Sequence, residues 1–260
     1  MVSETTWRNE YGSLMRLREG TDGCVRGLYR STTGSSGDYH VTGFIEPAAI
    51  DGNHARALSL GISWRAIDGD DEEPGSQWVS GLSGQLLHTP QGPRLLLMHN
   101  LVVSTHAPAP KGTGFHLDKL QYEPTGESLP LLSLSANGTA IDPTHLLGGA
   151  WVSTHDDSLR LELSVTKEGE VLGAMTEGDA EPGPIRGYAD ALASNNTPTL
   201  HGVSLTGWSA QRRCAYSLAG WLTVEGTELC LLDLSSSATD HGSRYLQTQA
   251  QGMRFRRLRT

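Results

Sequence analysis

The stretch GSLMRLREGTDGCVRGLYRSTTGSSGDYHVTGFI, from Gly12 to Ile45, decides the fold. Three short apolar runs are separated by Gly-rich reversals. Leu14, Arg16 and Arg18 alternate with Met15, Leu17 and Glu19, and Glu19-Gly-Thr-Asp-Gly23 turns the chain back. Cys24 to Ser31 forms a second run, residues 32–37 a loop, and Tyr39 to Ile45 a third run. Turn residues about every 8–12 positions between β-rich runs predict an up-and-down antiparallel barrel or a sandwich. Tyr29 and Ser31 are two apart and share one side of a strand, which hints at a polar-lined cavity.

The same rhythm runs outward from this stretch. Strands are expected near 5–9, 12–19, 24–31, 39–46, 57–66, 77–86, 93–104 and 114–122. Residues 126–146 interrupt it with Pro, Ser, Thr and Gly, and read as a linker with an apolar patch at Leu129 to Leu134. The rhythm restarts near 148–153, 157–166, 169–176, 184–191, 199–208, 213–222, 228–235 and 250–258. Two domains follow, 1–125 and 147–260. Ordered matches between the halves support a duplication. Trp7 in TTWRNEYGS is answered by Trp151 in GAWVSTHDDS, and Gly27-Leu-Tyr29 by Gly173-Ala-Met175. Trp64 closing LGISW is answered by Trp208 closing VSLTGW, Leu82-Ser-Gly84 by Leu218-Ala-Gly220, and Asn100-Leu-Val102 by Leu232-Asp-Leu234. The fold class is therefore all-β: two eight-stranded antiparallel up-and-down barrels. Eight strands leave an interior that side chains fill or that holds one small ligand.

Composition narrows the function classes. Among 260 residues, 29 Asp and Glu outweigh 20 Lys and Arg, so the net charge is −9 and no nucleic-acid partner is expected. The basic tail RFRRLR at 254–259 reads as a last strand with outward arginines. Three cysteines are too few for a disulfide framework or a zinc site, which points to a reducing compartment. MVSETTWRNEYG carries no leader pattern and no apolar run reaches a membrane span, so a cytoplasmic protein without a membrane partner is expected. Asn137-Gly-Thr and Asn195-Asn-Thr are read as chance glycosylation matches. The 10 histidines are dispersed, so neither a metal site nor a cofactor is expected. The acidic run 68–73 reads as a solvated hairpin tip.

Several motifs resemble the avidin–streptavidin family, in tandem. They are Trp7-Arg8-Asn9-Glu10-Tyr11-Gly12-Ser13, Gly27-Leu28-Tyr29-Arg30-Ser31, Thr42-Gly43-Phe44-Ile45, Trp64, Ser83-Gly84-Gln85 and the stretch Phe115 to Leu120. The resemblance implies that Asn9, Ser13 and Tyr29 would bind the ureido oxygen of a biotin-like guest. Ser31 and Asp118 would each take a ureido N–H. Thr33, Gly34 and Ser35 would hold a carboxylate, and Trp64 would be one wall. Donors facing acceptors around an apolar box would suit any neutral urea or amide. This chain departs from the family pattern at Leu82, Asn100 and Pro110, which stand where aromatic walls are expected. Trp78 is expected to point inward, and Met15, Ile62, Leu96, Met98, Val102 and Leu120 share the inward parity. The expected guest is therefore a small hydrophobic or heterocyclic ligand, larger and more apolar than biotin.

The second half lacks the urea-binding set. Ser153, Asp157, Met175, Glu177 and Met253 answer Asn9, Ser13, Tyr29, Ser31 and Asp118. His155, Asp157 and Glu177 at inward parity, with Trp208 and Tyr216, would line a second cavity. These titratable groups could serve acid–base chemistry. The other reading, a solvated turn at 155–157, stays open. Three functions remain: small-molecule binding, a cofactor-free cyclase or isomerase using Tyr29 or Asp118, and weak biotin binding. Barrels filled by side chains would leave a structural module. A homodimer of the two-barrel chain is a further expectation.

Overall fold

A computed structural model describes residues 4–32, 37–47, 55–67, 78–103, 114–130, 140–191, 193, 200–239 and 247–258. Among them are sixteen strands and no helix. The first eight are β1 (Glu4–Asn9), β2 (Leu14–Glu19), β3 (Cys24–Ser31), β4 (Gly37–Ile45), β5 (Arg56–Ser63), β6 (Val79–Thr89), β7 (Gly92–Val103) and β8 (Gly114–Pro124). The second eight are β9 (Gly149–Ser153), β10 (Leu159–Val165), β11 (Glu170–Glu177), β12 (Gly183–Ala189), β13 (His201–Ser209), β14 (Cys214–Leu222), β15 (Glu228–Ser237) and β16 (Thr248–Arg257). Each set closes into its own up-and-down antiparallel barrel, β1 pairing with β8 and β9 with β16. Every expected strand is present, with ends displaced by only a few residues.

Alternation fills each interior. In the first barrel Trp7, Met15, Leu17, Val25, Tyr29 and Tyr122 belong to one buried cluster, all at odd positions on β1–β3 and even ones on β8. In the second, Trp151, Leu161, Leu163, Met175, Leu218 and Phe255 do the same. The β2–β3 reversal depends on Gly23, whose φ is +76° and where a Cβ would lie 2.9 Å from the Ile45 carbonyl oxygen.

The two barrels pack against each other through β5–β7 and β13–β15. Small polar side chains on the outer faces make the contacts. Ser59 Oγ donates to the Gly207 carbonyl at 3.1 Å, Ser83 Oγ to that of Ala215 at 3.1 Å, and Ser204 Oγ to that of Ser80 at 2.9 Å. Gly61 and Gly81 lie on the same faces, against Ser204 and Ser217. Arg26 and Glu170 pair across the junction at 2.9 Å, and Phe115 stacks on Trp221 with ring centroids 4.7 Å apart.

The segment between the barrels is anchored at both ends. Leu129 packs on Leu14 and Leu28 outside the first barrel; residues 131–134 of the expected apolar patch lie outside the described residues. Leu147 joins the core of the second barrel and accepts a 2.9 Å hydrogen bond from the Trp151 indole. Arg257 donates to the Leu146 and Gly148 carbonyls, closing that end.

Candidate functional site

The β1–β2 hairpin sets one side of the first barrel's interior. Asn9 is buried because its Oδ1 accepts from the backbone N–H groups of Tyr11 (3.1 Å) and Ser13 (2.8 Å). An Asn at this place thus shapes the turn as well as facing the interior. Ser13 is fully buried, its Oγ 3.3 Å from Thr32 Oγ1. Tyr29, directly across from Met15 on β2, brings its hydroxyl to Ser13, Tyr122 and Asn9. Burial raises the Tyr29 hydroxyl, an effect those partners oppose, and burial raises Tyr122 still further. Both therefore stay protonated and offer O–H donors. The Tyr122 hydroxyl lies in the same group, next to Asn9 and Tyr29.

A second polar group lies in the same barrel. Trp64 Nε1 donates to Ser80 Oγ at 2.8 Å, and Ser80 Oγ lies 2.8 Å from His99 Nε2. Ser80 accepts from the indole and can donate onward to a His99 ring protonated on Nδ1. Trp64 also packs edge-on to Tyr29, centroids 5.9 Å apart, and against Tyr39 at 5.0 Å. Leu82, fully buried, faces the same core. Trp78 is half-buried and precedes β6 at the parity of Ser80 and Leu82.

Asn9, Ser13, Tyr29, Ser31, Trp64 and Leu82 are buried or half-buried at interior positions. Asn100 is a correction. Its Nδ2 donates to the Ala219 carbonyl at 3.4 Å, so it faces the other barrel. Leu96, Met98 and Val102 share that outward parity, and Leu95, Leu97 and His99 point inward instead. Asp118 keeps inward parity with Leu120 and Tyr122 but is exposed at the rim. There its Oδ2 accepts from Tyr11 at 3.3 Å. Thr33, Gly34, Ser35, Pro110 and the acidic run 68–73 lie outside the described residues, as do Asn137 and Asn195. Ser80 and His99 went unnoticed in the sequence. Ser80 lies two before Leu82, a spacing that could have revealed it.

The second barrel holds a cavity of about 290 Å³. Its walls are Met175, Leu218 and Met253, and its polar groups are Glu177, Arg212 and Asp233, with His155 and Asp156 at the mouth. Glu177 pairs with Arg212 at 2.7 Å, and Arg212 lies 5.5 Å from the centre of the Tyr216 ring. Asp233 is 7% exposed; burial raises its carboxyl above the ordinary value, against the lowering by Ser235 Oγ, which donates at 2.7 Å. Ser153 repeats the hairpin role of Asn9, its Oγ accepting from the N–H groups of His155 and Asp156. His155 and Glu177 thus reach the expected cavity. Asp157 does not: it is in the turn, 83% exposed, 3.6 Å from Arg256. Trp208 shares the outer parity of Ser204 and Thr206, whereas Tyr216 is in the core. The alternation had suggested neither Arg212 nor Asp233, because Arg212 comes from a turn and Asp233 is a lone acid in an apolar run.

Among the described residues no group of three His, Cys, Asp or Glu side chains is placed to hold a metal ion. No protein-family model matches the chain, and no curated protein matches it. Solved structures of avidin-like proteins do. A rhizavidin–biotin complex is 16% identical, covering 47% of this chain and 100% of that one, with a TM-score of 0.37. Intact apo afifavidin is 16% identical over 50% of this chain and 86% of its own, with a TM-score of 0.37. Apo shwanavidin is 17% identical over 48% and 96%, again at 0.37. These likenesses concern fold alone. The chain itself folds into two closed eight-stranded up-and-down barrels.

Proposed function

We propose that this chain binds a small, neutral, heterocyclic or amide-bearing ligand inside its first barrel. The observation that supports this is the concentration of buried polar groups on that interior. Tyr29, Tyr122, Asn9 and Ser13 gather at one side, and Trp64, Ser80 and His99 at another. Buried hydroxyls stay protonated and donate; Ser80 and His99 can do either. Such a set orients a guest with a carbonyl at one edge and N–H groups at the other, while Trp64, Tyr39, Ile62 and Leu82 take its apolar body. Leu82 leaves more room than an aromatic ring would, so the preferred guest is larger and less polar than biotin, which binds weakly.

The cyclase or isomerase reading uses the same groups, with neutral Tyr29 as a proton donor beside apolar walls. A thermal-shift screen of biotin and of bulkier cyclic ureas and lactams, followed by calorimetry and product analysis, separates the readings. Binding without conversion supports the carrier. Conversion that is lost in Tyr29→Phe while binding persists selects the enzyme. No binding by any neutral heterocycle overturns both. The chain already pairs two barrels through β5–β7 and β13–β15, so a homodimer would use other faces.

A further inference from the structure

The second barrel contains a charge arrangement that the first does not. Glu177 is neutralised by Arg212 at 2.7 Å, and Arg212 is held over the Tyr216 ring. Asp156 at the mouth is occupied by the Ser158 backbone N–H and hydroxyl, at 2.9 and 2.6 Å. Asp233 is different. It projects into the cavity of about 290 Å³ from β15, opposite Leu218. Among the described residues it has one hydrogen-bond partner, Ser235, and no ion pair. A buried carboxylate is costly unless a cation or several donors meet it. The neighbouring walls of the cavity are Met175, Leu218 and Met253, which offer it no charge partner.

We propose that the second barrel is a separate binding site for a small organic monocation, a primary amine with an apolar body, whose ammonium is held by Asp233. The geometry matches that chemistry point by point. An ammonium on Asp233 makes a charge-assisted hydrogen bond in a partly desolvated site, where such bonds are strong. With Glu177 paired to Arg212, Asp156 and Asp233 are the carboxyls left on the lining, so the cavity favours cations over carboxylates. The thioethers of Met175 and Met253 are adaptable, polarizable walls for an aromatic or alkyl body. The volume lies at the low end of small-molecule pockets, roughly 300–1,000 Å³, which restricts the guest to a compact amine. Burial, which favours the protonated carboxyl in the empty barrel, is offset once a cation sits beside it. This site shares no residue with the first barrel and does not rest on the reading of that barrel.

Calorimetry on the full chain tests the proposal, with phenethylamine, 2-phenylethanol and phenylacetate as probes near neutral pH. The amine is expected to bind at one site per chain, and the alcohol and acid about tenfold more weakly or worse, the scale of one charged hydrogen bond. Asp233→Asn should weaken the amine by a similar factor with unchanged circular dichroism. If that variant does not fold, the comparison of amine with isosteric alcohol on the natural chain decides. Equal binding of amine and alcohol, no amine binding up to millimolar concentration, or undiminished binding in folded Asp233→Asn would each overturn the proposal. Titration of neutral heterocycles fails or succeeds independently, so the two barrels are judged separately.

Discussion

Gly81→Ala places a methyl group in the junction between the barrels. A Cβ at this position would lie 2.1 Å from Ser217 Oγ and 2.8 Å from Ala219 Cβ. Neither distance is tolerable, so one barrel face must shift or Ser217 must rotate. Overpacking of this kind costs about 1–3 kcal/mol. Loss of a glycine stiffens the unfolded chain and returns about 0.4–1 kcal/mol. The net expectation is about 1–2 kcal/mol of destabilisation. Ser217 makes the test sharper, because its hydroxyl is buried without a hydrogen-bond partner among the described residues. Ser217→Ala alone should therefore be neutral or stabilising. In the double variant the nearer clash is gone and only the Ala219 contact remains. Part of the cost should then be recovered, a coupling of about 0.5–1.5 kcal/mol. Denaturant unfolding of the four proteins measures the cycle. A neutral or stabilising Gly81→Ala, with no coupling to Ser217→Ala, would refute the packing of β6 on β14.

Other outcomes follow from single side chains. Burial raises the Asp233 carboxyl, so the folded chain holds that proton more tightly than the unfolded chain; its contribution to stability is complete below the ordinary value of 3.8 and is lost as pH rises through the raised one. Asp233→Asn should accordingly stabilise the fold at pH 7, read as a higher melting temperature, and the gain should vanish in acid; a gain that persists at low pH contradicts this. Ser80→Ala strips the Trp64 indole of its acceptor and should cost about 1–3 kcal/mol, read as a lower thermal midpoint; an unchanged midpoint would mean that the indole finds another partner. Arg257→Ala removes two carbonyl contacts and the cation 5.8 Å from the Trp151 ring centre, and should lower stability by about 2–4 kcal/mol; thermal melts at two salt concentrations check it, with little salt dependence expected of these partly buried contacts.

The strand rhythm was legible because Gly-rich turns punctuate short β-rich runs with few helix formers between. The interior set on β1 to β3 was legible for a related reason: Arg16, Arg18, Arg26 and Arg30 all lie on the outer parity of β2 and β3, which points Met15, Leu17, Val25 and Tyr29 inward. On β7 that signal fails. In RLLLMHNLVV both parities are apolar, since one face fills the barrel and the other packs toward the second barrel. Alternation cannot choose between Asn100 and His99 there. The barrel junction was hidden for a related reason. Ser59, Ser83, Ser204 and Ser217 look like solvent-facing residues, but all are buried, three of them donating to carbonyls of the opposing sheet. The second cavity depends on Arg212, which a turn delivers, and no periodicity reports on turns.

The account rests on the first barrel's interior holding a neutral guest through Tyr29, and calorimetric comparison of the wild type with Tyr29→Phe tests that most directly. The substitution removes one hydroxyl and keeps the ring against Trp64. With the tightest-binding cyclic urea or lactam as titrant, affinity should fall by about tenfold, the loss of one buried hydrogen bond, at unchanged stoichiometry. Undiminished affinity in Tyr29→Phe would contradict the assignment and place the guest elsewhere.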